Sequence, residues 1–129
     1  MRVSLTDGDV AALARQAVDL LDPEIDITIT PQDRADPYRW GQHAWVISLG
    51  DGGAFYVEAD WTPTKALSRL LDALAHDIAE TPRFRGLAFP QCLPGHVHPA
   101  QIEVEGNDVV LTCPQTGKAV TRLVPEVPA

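Results

Sequence analysis

Cysteine is scarce: Cys92 and Cys113 are the only two among 129 residues. That excludes a disulfide-stapled scaffold, which relies on several bridges. Long apolar runs are missing too, so no transmembrane helix is expected. The opening stretch Met1-Arg2-Val3-Ser4-Leu5-Thr6-Asp7-Gly8-Asp9 lacks the apolar segment of a signal peptide. The cytoplasm is the expected compartment, and thiols stay reduced there. Positive charge is in short supply, with 10 Lys and Arg against 18 Asp and Glu and a net charge of −8. The deficit lies in residues 1–82, which hold 6 basic and 14 acidic residues, whereas 83–129 hold 4 of each. This argues against nucleic acid as a partner, because that affinity rests largely on Lys and Arg. Arg83, Arg85 and Lys118 form a local basic group that reads as solvated surface.

Several catalytic signatures are absent as well. The chain has no Gly-x-Gly-x2-Gly, no phosphate loop, no Gly-x-Ser-x-Gly elbow and no zinc-deaminase Pro-Cys-x2-Cys. What remains is a hydrophobic fraction of 45%, enough for a real core, in a length that suits one domain over residues 1–129. Within it, 1–82 reads as a helix-and-strand core and 83–129 as a metal-bearing β part.

The first helix is expected over Asp7–Leu21. Val10, Leu13, Ala14, Ala17, Val18 and Leu21 recur at helical spacing, Thr6 suits the N-cap, and Asp22-Pro23 ends the run. Glu24–Thr30 alternates Ile25, Ile27 and Ile29 with Asp26, Thr28 and Thr30, the pattern of a half-buried strand. Pro31–Gln42 reads as a polar loop. His43–Leu49 and Ala54–Asp60 read as strands joined through Gly50-Asp51-Gly52-Gly53. Trp40, Trp45 and Trp61 lie in or beside this hairpin and are expected to pack against a helix. The second helix starts at Thr62-Pro63, a cap followed by proline at the first helical position. Its apolar face is Leu67, Leu70, Leu71, Leu74 and Ile78. Three short strands follow residue 100, and the tail from Pro125 reads as frayed. The fold class is therefore α+β: two helices on an antiparallel sheet, followed by a C-terminal zinc-ribbon-like β-hairpin element.

The chemistry gathers in Phe89-Pro90-Gln91-Cys92-Leu93-Pro94-Gly95-His96-Val97-His98-Pro99 and in Cys113-Pro114. Leu93-Pro94-Gly95-His96 suits a type II turn, with proline second and glycine third, where positive φ is needed. The turn brings Cys92 and His96 together. His98 precedes a proline and favours extended chain, so His96 and His98 point the same way. A hairpin over 101–113 returns Cys113 to the turn. Two thiols and two imidazoles suit one tetrahedral zinc ion per chain, on Cys92, His96, His98 and Cys113. Other readings stay open: two buried thiols, a disulfide closing about twenty residues, or Cys92 as a nucleophile beside a histidine. His96-Val97-His98 followed by Glu103 matches a fragment of the cupin pattern. The later glycine and histidine of that pattern are missing.

Cys113-Pro114-Gln115-Thr116-Gly117 resembles the second knuckle of a zinc ribbon, Cys-Pro-x-Cys-Gly, with Thr116 where that knuckle has cysteine. The resemblance covers residues 90–124. The wider pattern, Phe-Pro-x-Cys-x3-His-x-His-Pro and then Cys-Pro-x-Thr-Gly, resembles small uncharacterised proteins common in actinobacteria and implies no activity. The expected function is a non-enzymatic adaptor or regulatory protein with a structural zinc, acting on another protein rather than on nucleic acid or membrane. The alternative is a small metalloenzyme that uses three of the ligands plus water, with Glu103 or Glu105 as acid/base. The segment 83–124 is expected to depend on the metal for its order.

Overall fold

The structure is a computed structural model that describes residues 4–34, 42–49, 54–82 and 88–127. It is α+β, with two helices and two three-stranded antiparallel sheets. Helix α1 spans Asp7–Leu21 and helix α2 spans Pro63–Ala79. Strands β1 (Ile27–Arg34), β2 (Gln42–Leu49) and β3 (Ala54–Glu58) form the first sheet in that order. Strands β4 (Gln101–Glu105), β5 (Asp108–Thr112) and β6 (Ala119–Leu123) form the second.

Both helices start as their caps dictate. The Thr6 hydroxyl accepts from the Asp9 amide, and the Asp9 carboxylate accepts from the Thr6 amide, a reciprocal pair that satisfies two exposed donors. Thr62 accepts from the Lys65 amide, with Pro63 behind it. The apolar stripes of α1 and α2 are buried, and the helices pack on each other. In the first sheet Ile29 pairs with Ile47, Ile47 with Phe55 and Trp45 with Val57, so one face carries the apolar set. This face joins the helical stripes in a single cluster.

Three expectations change. Strand β1 continues through Pro31 to Arg34 instead of yielding to a loop. It lies at the edge of its sheet, where a missing amide donor is tolerated. Trp45 meets its expectation: it is buried in the cluster with the helices, and its Nε1 donates to Asp7 Oδ1 of α1 at 2.7 Å. Trp61 packs partly buried beneath the Lys65 ammonium, 5.0 Å from its ring. The tail is docked as far as Val127: Gln16 on α1 donates to the Val124 carbonyl and accepts from the Glu126 amide. Trp40, the loop 50–53, Arg83, Arg85 and the side chain of His43 lie outside the described residues.

The third change bears on the site. The second sheet does not hang from the metal loop. Val109 and Leu111 of β5, with Ala100, enter the same hydrophobic cluster as α1 and α2. Burying two aliphatic side chains and an alanine contributes about 3–6 kcal/mol of local stabilisation. The Thr64 hydroxyl at the start of α2 also donates to the Asn107 carbonyl in the β4–β5 turn, where Gly106 takes φ +64°. On the outer face Arg122 bridges Glu105 at 2.7 Å and Asp108 at 2.9 Å. Those pairs are exposed and stabilise little.

Candidate metal centre

Three of the four chemistry-bearing side chains come from one short loop. The chain enters through a cis Phe89–Pro90 peptide. The Ala100 amide then donates to the Pro90 carbonyl at 2.9 Å and closes the base. Inside, the His96 amide donates to the Leu93 carbonyl at 3.0 Å, with Gly95 at φ +83°, as the Pro94-Gly95 pair dictates. Beyond the turn the extended chain alternates. Val97 points to solvent at 91% exposure, while His96 and His98 are half-buried.

The fourth side chain comes from the end of the central strand of the second sheet. One extra residue on β6, opposite the Leu111–Thr112 step, bends the ladder just before Cys113. The Gly117 amide then donates to the Cys113 carbonyl, and the Cys113 amide to the Lys118 carbonyl, both at 2.8 Å. Gly117 takes φ +75°, which a side chain would oppose. The result is a tight knuckle that holds Cys113 at 1% exposure.

The donor atoms of Cys92, His96, His98 and Cys113 all lie within 4.8 Å of one another. His96 Nδ1 and His98 Nε2 are 3.2 Å apart. Cys92 Sγ is 3.7 Å from His96 Nδ1 and 3.4 Å from His98 Nε2. Cys113 Sγ is 3.4 Å from each of the same two nitrogens. A metal ion about 2.0–2.1 Å from each nitrogen and about 2.3 Å from each sulfur, at tetrahedral angles, sets its ligands about 3.3–3.8 Å apart. A square plane would put two of the six pairs trans, at about 4.1–4.6 Å. Five of the six pairs are 3.2–3.7 Å here, so a square plane is excluded and a tetrahedron fits. These four residues could hold one metal ion. Both cysteines are free thiols, so the disulfide alternative is not the form seen.

The two sulfurs differ in acidity. Burial raises the Cys113 thiol, but the Thr116 hydroxyl, His98 and the amides of Thr116 and Gln115 all favour the thiolate and bring it down to about 5. Cys92 moves the other way: burial raises it, and the neighbouring Cys113 adds to that, against one amide at Leu93. Cys113 is therefore the more acidic of the two sulfurs.

Thr116 is the residue that sequence reasoning undervalued. It occupies the second-cysteine position of the knuckle and had counted only as a missing ligand. Its hydroxyl favours the Cys113 thiolate, and it also accepts from the Lys118 amide at 3.2 Å. Its place in the Cys-Pro-x-x-Gly pattern was the available signal.

Glu103 and Glu105 lie along β4, on the second sheet. Glu103 accepts from the Thr112 hydroxyl at 3.1 Å, and Glu105 pairs with Arg122. Neither lines the hollow beside the ligands, which is formed by Ala88 and residues 91–97. Comparison with protein-family models, curated proteins and solved structures finds no match. The centre is therefore read from its own geometry. Among the described residues, two three-stranded meanders also leave no cupin barrel for the His-x-His fragment.

Proposed function

We propose that the chain is a non-enzymatic adaptor or regulatory protein of the cytoplasm that acts on another protein and carries one structural zinc ion. The ligands are Cys92, His96, His98 and Cys113. The observation that carries this reading is the set of five tetrahedral ligand–ligand separations. Two sulfurs and two imidazole nitrogens are the donors that zinc prefers. Four protein ligands leave no position for water, and catalytic zinc keeps one. The engagement of Glu103 by Thr112 and of Glu105 by Arg122 further favours a structural over a catalytic ion. The choice of a protein partner rests on the net charge of −8, which disfavours nucleic acid. Among the described residues no helix is long and apolar enough to cross a membrane.

Single replacement of each ligand tests the structural role. Each of Cys92→Ser, His96→Ala, His98→Ala and Cys113→Ser should lose the metal and the order of the loop together. A variant that keeps a three-ligand metal and a folded loop would favour the metalloenzyme instead.

A further inference from the structure

The ligand set contains a pair that a metal alone does not require. Cys92 Sγ and Cys113 Sγ belong to two separately braced pieces of chain and lie within 4.8 Å of each other. Cys92 sits in a loop closed at its base by the Ala100–Pro90 hydrogen bond. Cys113 sits in a knuckle closed by its own amide and by Gly117. Neither brace passes through the ion, so the base of the loop stays tethered beside the knuckle and Cys92 remains within reach of Cys113 when the ion leaves. A disulfide needs them at about 2.05 Å, so the sulfurs, within 4.8 Å, have less than about 3 Å left to close.

The two sulfurs also differ in access. Cys92 is half-buried and opens on the hollow lined by Gln91, Leu93, Pro94 and Val97. Cys113 is 1% exposed, directly behind it. An oxidant from solvent therefore meets Cys92 first and finds the second sulfur waiting. The histidines cannot follow the same chemistry, and they would simply lose the ion.

We propose that this centre is also a peroxide-responsive switch, in which a Cys92–Cys113 disulfide replaces the metal and frees the histidine loop. The proposal rests on the metal reading above and adds its regulation. The Cys92 sulfur attacks one oxygen of a hydroperoxide: an S–O bond forms, the O–O bond breaks, and the peroxide leaves as water after taking a proton. The Cys113 thiolate then attacks the Cys92 sulfenic acid. The S–S bond forms, the S–O bond breaks, and hydroxide takes a second proton and leaves as water. Two sulfurs lose two electrons in total, the peroxide gains them, and the divalent ion departs with its charge unchanged.

The outcome differs from simple demetallation. The covalent clip still ties Cys92 to the knuckle, and strands 101–123 stay in place by their own packing. Residues 93–98, with His96, His98 and the exposed Val97, lose their anchor. That segment is the surface whose shape would report the redox state to a partner.

The test uses the full zinc-loaded chain and hydrogen peroxide. Free zinc is read with a chromogenic chelator, intact mass is measured without reductant, and the cross-link is located by peptide mapping. One zinc should be released for every Cys92–Cys113 bridge, and the denatured chain should weigh two hydrogens less than the reduced metal-free chain. Dithiothreitol plus zinc should reverse both. Retention of zinc at excess peroxide, or conversion of the thiols to sulfinic acid without a bridge, would overturn the switch. Chelator-stripped protein run in parallel separates the two readings. A bridge there, together with no zinc in the protein as first isolated, removes the metal reading and keeps the thiol pair; no bridge in either sample removes the switch.

Discussion

Stripping the metal should free the ligand loop and leave the sheet beneath it folded. Residues 91–98 make few hydrogen bonds of their own, with a single backbone bond, His96 to Leu93, inside the loop. Ordering eight backbone residues costs about 8–16 kcal/mol. One hydrogen bond returns about 0.5–1.5 kcal/mol. Pro94, with φ already fixed, trims the cost without closing the gap. A structural zinc ion supplies about 10–16 kcal/mol, which is the right size. The second sheet stands differently, because Val109 and Leu111 are buried in the main cluster with α1 and α2. Hydrogen exchange read by mass spectrometry, with and without chelator, decides the matter. Amides of 91–98 should lose their protection, and the knuckle 113–118 should weaken. Amides of 101–112 should change less than about tenfold, or about 1.4 kcal/mol. Equal loss across loop and strands would refute the reasoning, and so would a loop that stays protected without metal.

Other outcomes follow from the same contacts. Leu111→Ala should lower stability by about 2–5 kcal/mol in denaturant titrations even with metal bound, since it removes a buried side chain that docks the sheet. Thr116→Val should keep the fold yet weaken metal binding about 10–100-fold in competition with a chelator, by removing the hydroxyl from the Cys113 sulfur. Metal affinity should fall as pH falls. Cys92 is raised and so protonated at neutral pH, and metal must displace that proton. Cys113, lowered to about 5, adds a second only in more acidic solution. Thiolate absorbance followed during metal addition should therefore grow at neutral pH and flatten above the titration of Cys92.

Much of this was legible in the residues, for definite reasons. Both helices could be placed because their stripes keep helical spacing and because Thr6 and Thr62-Pro63 mark their starts. The ligand group was legible because Pro94-Gly95 fixes a turn, and a hairpin must return Cys113 towards it. The length of β1 was not, since Pro31 forbids a central strand and the pattern does not say which strand lies at an edge. Nor was the docking of β5 legible: Val109-Val110-Leu111-Thr112 is apolar on both faces and names no partner. The effect of the Thr116 hydroxyl on Cys113 depends on the knuckle's backbone, and the Gln16 clamp joins positions 108 residues apart. Spacing along the chain carries neither.

Native mass spectrometry of protein purified without added metal or chelator tests the central claim most directly. The expected mass is that of the reduced chain plus one zinc, less the protons displaced from the two thiols. Elemental analysis of the same sample should give zinc in equal molar amount to protein. A spectrum that shows only the bare reduced chain would contradict the account.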